Sequence, residues 1–145
     1  MAGKVYVVYA SLTGNTRKVA RAIAEAVGGT LVDVRKDPLP KVEPGDVLFV
    51  GDGVYGWRPS RAMRKALASW PLPKGVKAAV FGTYGGRPAQ IPALEKLLRE
   101  RGAQLMDSFS CKGRDWFLLG LIGRGRPSPA DLKAAQEFAR RVVRG

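Results

Sequence analysis

The chain has 145 residues, 46% of them apolar, which is enough for one domain with a substantial core and too apolar for a disordered chain. Its formal net charge of +13 favours anionic over cationic partners, so charge alone admits nucleic acid or an anionic membrane surface. One cysteine excludes an internal disulfide, and the lack of any histidine removes the commonest neutral-pH acid/base and the commonest transition-metal ligand.

The 25 Lys and Arg are scattered from Lys4 to Arg144 and form no single block, as on a solvated surface. No nucleic-acid recognition motif accompanies them, so nucleic acid is not an expected partner. No apolar run approaches the length of a membrane span, and the chain opens on a strand pattern where a signal peptide would have an apolar h-region. A reducing, cytoplasmic setting is expected from the cysteine usage.

Strand and helix patterns alternate along the chain. "KVYVVYA" (4–10) is a continuous β-branched and aromatic run. From Asn15 to Val27, apolar residues recur at Val19, Ala20, Ile23, Ala24 and Val27, which predicts a helix that Gly28 and Gly29 stop. "TLVDV" (30–34) is a short strand, and the Pro-punctuated link from Pro38 to Gly45 replaces or shortens any second helix. "DVLFVG" (46–51) is a third strand. Ser60 is placed to cap a helix running to about Trp70.

"VKAAVFG" (76–82) is a fourth strand, and Pro92 suits the first turn of a helix that Gly102 ends. "AQLMDSFSC" (103–111) is a fifth strand. Ser128, Pro129 and Asp131 form an N-cap, N1 and N3 signature for a last helix to about Val143. The first, third and fourth strands are almost wholly apolar, as strands covered on both faces must be. The second and fifth carry Asp33, Gln104, Asp107 and Ser108 and read as edges. A five-stranded parallel sheet of order 2-1-3-4-5, with helices on both faces in an α/β three-layer sandwich, satisfies this pattern. Such sheets bind ligands beyond the carboxyl ends of the strands, at the switch point between the first and third.

The turn at that switch point is "SLTGNT" (11–16). It offers hydroxyls at Ser11, Thr13 and Thr16, an amide at Asn15, and close backbone approach at Gly14. The N–H groups of the following helix start favour an anion. The spacing is neither that of a Walker loop nor that of a dinucleotide G-x-G-x-x-G. An ordinary capped strand-to-helix turn is the alternative reading.

These residues resemble the phosphate loop of the flavodoxin family, [ST]-x-T-G-N-T, at every defined position. "GDGVYGW" (51–57), after the third strand, is similar to the family's aromatic-then-glycine segment, and "FGTYGG" (81–86), after the fourth, to the F-G-S-Y-G pattern of its short-chain members. The resemblance runs over essentially the whole chain and implies a flavodoxin-like fold of one domain, 1–145. It also implies tightly held FMN that cycles between oxidised, semiquinone and hydroquinone forms.

On this resemblance Ser11, Thr13, Gly14, Asn15 and Thr16 bind the phosphate. Tyr55 and Trp57 are candidate faces for the isoalloxazine, and Thr83, Tyr84 and Gly85 supply the third loop. Gly56 stands where family members flip a peptide towards the flavin N5. Two departures bear on function. Gly86 stands where many short-chain members have a Trp, so Trp57 or Trp116 is left as the second stacking partner. Trp57 and Arg58 follow Gly56 where the family tends to be acidic.

Segments 52–59, 83–91 and 112–128 carry Arg58, Arg87, Lys112, Arg114, Arg124 and Arg126 against Asp52 and Asp115, a basic rim on a strongly basic chain, whereas most flavodoxins are acidic overall. Within "KGRDWFLLGLIGRGRPS" (112–128), Trp116 to Leu119, Leu121 and Ile122 form an apolar knot, read either as a loop tucked over the edge strand or as a docking surface for a redox partner or a membrane-bound enzyme. The expected function is electron transfer between partner proteins, with an acidic docking face on the partner. The alternatives are an FMN-dependent quinone or protoporphyrinogen oxidoreductase, or an activator of one specific reductase.

Overall fold

The computed structural model describes residues 3–10, 14–53, 60–84, 90–112 and 128–145. Five strands, β1 (Val5–Tyr9), β2 (Thr30–Asp33), β3 (Val47–Gly53), β4 (Lys77–Tyr84) and β5 (Gln104–Lys112), pair in parallel in the order β2-β1-β3-β4-β5. Four helices, α1 (Asn15–Val27), α2 (Arg61–Ser69), α3 (Gln90–Glu100) and α4 (Pro129–Arg144), cover the two faces. The expected order holds because composition tracks burial. Every residue of β3 is buried, whereas edge strand β5 exposes Gln104, Asp107, Ser108 and Ser110.

Period-two alternation along the strands sorts the core into two layers. Val7, Tyr9, Val47, Phe49, Ala79 and Phe81 face α1 and α4, where they meet Val19, Ile23, Ala135, Phe138 and Ala139. Phe138 stacks on Phe109, with centroids 5.6 Å apart, and meets Phe49 edge to face at 5.8 Å. Tyr6, Val8, Leu48, Val50, Ala78 and Val80 face α2 and α3 through Met63, Leu67, Leu94 and Leu98.

No helix joins β2 to β3, as the prolines predict. The link instead packs Leu39 and Val42 onto the α2 side, and the Pro40 carbonyl accepts a hydrogen bond of 3.0 Å from Nε1 of the buried Trp70. That bond satisfies the buried indole's only polar group on the helix-free link.

The cap readings hold. Ser60 Oγ accepts from the Met63 N–H at 3.2 Å, and Ser128 and Asp131 form a complete capping box on α4. One feature of β5 is not visible in its sequence. Ala78 pairs with Leu105 but Val80 with Ser108, so Met106 and Asp107 share one partner position in a bulge. That irregularity, on an exposed edge, obstructs pairing with another chain. Among the described residues no helix is long and apolar enough to cross a membrane.

Candidate cofactor site at the carboxyl edge of the sheet

Because all five strands are parallel, β1, β3 and β4 end on the same edge, and the three sequence segments singled out above each continue from one of those ends. The register aligns Tyr9 with Gly51, Gly53 with Thr83, and Thr83 with Cys111. Close packing shapes this edge. A Cβ at Gly51 would lie 2.1 Å from Cε2 of Phe81, so only glycine lets the Phe81 ring cross β3 beside the switch point.

Helix α1 starts differently from α2 and α4. Those two begin with a serine whose hydroxyl covers a first-turn N–H, whereas α1 begins at Gly14 in a left-handed conformation (φ 88°) and has no side-chain cap. A Cβ at Gly14 would meet none of the described residues within 4 Å. The first turn holds no carboxylate, and it does hold Arg17, whose buried Nε has no hydrogen-bond partner. Among the described residues, space beside a left-handed glycine and a first turn that carries Arg17 and Lys18 but no carboxylate suit a bound phosphate.

Thr16 and Asn15, both sequence-predicted phosphate residues, are buried beside this turn. Thr16 Oγ1 lies 2.9 Å from Oγ1 of Thr83 in a buried hydrogen bond. Two of the predicted site residues, 67 positions apart, are thereby joined, and the start of α1 is tied to the end of β4. Sequence reasoning named both residues and missed the bond between them. The backbone of Tyr84 ends β4 beside Thr83. Ser11, Thr13, Tyr55, Gly56, Trp57 and Gly85 lie outside the described residues, as do Arg58, Arg87 and segment 113–127.

Asp52 is the residue that sequence reasoning placed least well. Counted there as an anion of the rim, it has no exposed surface at all. It follows Leu48 and Val50 in the strand alternation and points to the α2 side. Its Oδ1 accepts from the Gly53 N–H at 2.9 Å and its Oδ2 from the Ser60 N–H at 2.6 Å. Burial drives its carboxyl from the ordinary value of 3.8 up to about 6, against the opposing pull of the Ser60 and Gly53 hydrogen bonds and the Arg35 charge.

A carboxyl with a raised folded value binds its proton more tightly folded than unfolded. Between pH 3.8 and about 6 the folded protein therefore holds more protons, and stability falls as pH rises. The full penalty is present above the folded value and absent below the unfolded one, and it amounts to about 3 kcal/mol. Urea unfolding of the native protein and Asp52→Asn at pH 4 and pH 7 is expected to show the native protein losing ground to the variant by up to that amount. A stability gap that stays constant with pH would rule out a shifted Asp52.

Comparison with known proteins follows the same lines. Residues 6–115 match the family model described as a flavodoxin domain. An uncharacterized protein of Methanocaldococcus jannaschii is 26% identical over 150 residues, an alignment that takes in 97% of this chain and 99% of that one. A flavodoxin from the domain Archaea has the same fold at a TM-score of 0.77 and 21% identity, covering 98% of this chain and 97% of that chain. A short-chain flavodoxin associated with a non-canonical PDU bacterial microcompartment superposes at a TM-score of 0.78 and 16% identity, covering 98% of each.

Proposed function

The chain belongs to the flavodoxin family, whose members bind flavin, and on that premise we propose that it holds one FMN and passes electrons singly between partner proteins. The observation that carries this reading is the start of α1. A carboxylate-free helix terminus opens from a left-handed glycine inside the segment S-L-T-G-N-T, at the carboxyl edge of the sheet beside the neighbouring strands β1 and β3.

Ser11, Thr13, Gly14, Asn15 and Thr16 would take the phosphate. One terminal phosphate suits a turn of this size, and nothing in the chain suggests a site for the adenine of FAD. Tyr55, Trp57 and Tyr84 supply aromatic surface for the flat, apolar ring system. Bound flavin supplies the ability to accept electrons one at a time. The protein's task is to hold the ring, keep water from most of it and leave one edge within reach of a partner.

A carrier needs no acid/base group at the ring, and the chain's lack of histidine fits that. The partner is a protein with an acidic docking face, because the segments after β3, β4 and β5 are rich in arginine. Segment 112–128, with its apolar knot between Arg114 and Arg124, is a candidate part of that surface.

Rapid mixing of the reduced, FMN-loaded protein with an acidic one-electron acceptor, such as a rubredoxin, and separately with a quinone, tests the carrier reading. Fast oxidation by the acidic protein that slows as salt is added is the expected result. Multiple turnover with the quinone and none with protein acceptors would replace the carrier with a quinone oxidoreductase.

A further inference from the structure

Helix α4 satisfies its own first N–H groups, because Asp131 at its third position reaches back to the Ser128 N–H at 2.8 Å. Helix α2 cannot do the same. Its serine cap is present, but its third position is Met63, which has no oxygen to offer the Ser60 N–H. Asp52 fills that role from eight residues upstream, across segment 54–59. With its other oxygen it holds the Gly53 N–H, so a single buried carboxylate binds both residues flanking the segment that carries Tyr55, Gly56 and Trp57.

An apolar residue following Leu48 and Val50 on this face would have filled the space without the cost of burying a charge. An ionised carboxylate is a stronger acceptor for the Ser60 N–H than a neutral group would be. The carboxylate is therefore spent on geometry that packing alone would not give.

We propose that Asp52 is a positioning residue for the flavin site: by bonding both Gly53 and Ser60 it fixes the end of β3 against the start of α2, the two described points between which Tyr55, Gly56 and Trp57 lie in the sequence. The proposal rests on the FMN reading above. It assigns Asp52 no contact with the flavin and no proton transfer.

The experiment compares Asp52→Asn, Ser60→Ala and Ser60→Pro with the native protein. Asn keeps an oxygen for the Gly53 N–H but turns an NH2 donor on the Ser60 N–H. Ser60→Ala removes the hydroxyl, which caps Met63 and also bonds the Asp52 carboxylate, and leaves the backbone donor to Asp52 intact. Ser60→Pro removes the hydroxyl and the donor together, and the backbone at residue 60 (φ −60°, ψ 152°) already suits proline. Both Ser60 variants lose the hydroxyl, so their difference isolates the backbone bond to Asp52 even if Asp52→Asn does not fold.

Titration with FMN is expected to give a Kd raised about tenfold or more in Asp52→Asn and Ser60→Pro, and one within about threefold of native in Ser60→Ala. The midpoint potential of the bound flavin should move in the first two and stay in the third. If the native protein binds FMN and Ser60→Pro matches Ser60→Ala in both affinity and potential, Asp52 is a helix cap and nothing more. If the native protein itself binds no FMN, the FMN reading fails and takes this proposal with it.

Discussion

Replacing Thr13 and Thr16 together by alanine is expected to weaken FMN binding by about a hundredfold or more. Each hydroxyl lost from a charged acceptor costs roughly 1.5–3 kcal/mol, and a factor of ten corresponds to about 1.4 kcal/mol. Thr16 is already bonded to Thr83, but a hydroxyl can donate once and accept twice, so that bond does not exhaust it. The double variant also breaks the buried tie between the start of α1 and the end of β4. Thr83→Val separates the two effects, because it removes the tie and leaves the hydroxyls of Thr13 and Thr16 in place; its loss of affinity should be clearly smaller. Fluorescence titration with FMN measures all three proteins. Native affinity in the double variant would mean that the phosphate is held elsewhere.

The second large effect is electrostatic. Arg58→Glu combined with Arg87→Glu should lower the potential of the flavin's second reduction step and slow electron transfer to the physiological partner. Fully reduced flavin is an anion in this family, and positive surroundings stabilise it. A single charge at about 8 Å, with an effective dielectric near 40, contributes roughly 1 kcal/mol. That is on the order of 45 mV for one electron, and each reversal changes two charges.

Asp52, counted in the sequence reading as one of two carboxylates of the rim, is wholly buried, and ionised there it still opposes the positive field; Lys18 and Arg61, at the starts of α1 and α2, are exposed. The slowed partner reaction should converge on the native rate at high salt, where screening removes the difference between the two proteins. An unshifted potential, together with a partner rate that ignores salt, would reduce the basic rim to a solubility feature.

What could be read without coordinates was local chemistry and composition. The bounds of α1 follow from its apolar period and from the glycines at both ends. The starts of α2 and α4 follow from serine caps, and the strand order from which strands could tolerate burial on both faces. What could not be read depends on residues distant in sequence. The Thr16–Thr83 bond forms because position 83 falls on the α1 side of β4, after Ala79 and Phe81.

The inward turn of Asp52 had a signal. Counting by twos from Leu48 and Val50 places it on the α2 face, under Ser60. Its charge invited the opposite assignment. Trp70 ends α2 in the sequence pattern, yet it is among the largest fully buried side chains and anchors the helix-free link through the Pro40 carbonyl. The bulge in β5 leaves no mark in the pattern, since an edge strand alternates weakly in any case. The aromatic residues proposed to flank the ring and the apolar knot at 116–122 fall on or beside the segments outside the described residues, and they rest on sequence.

The central claim is that this chain carries one FMN in the turn that follows β1. Titration of the flavin-free protein with FMN, FAD and riboflavin, followed by visible absorbance and flavin fluorescence, tests it most directly. Saturation at one FMN per chain is the expected result, with FAD and riboflavin each bound far more weakly, because on the proposed reading the turn takes one terminal phosphate. Equal affinity for FMN and riboflavin, or no binding of either, would contradict it.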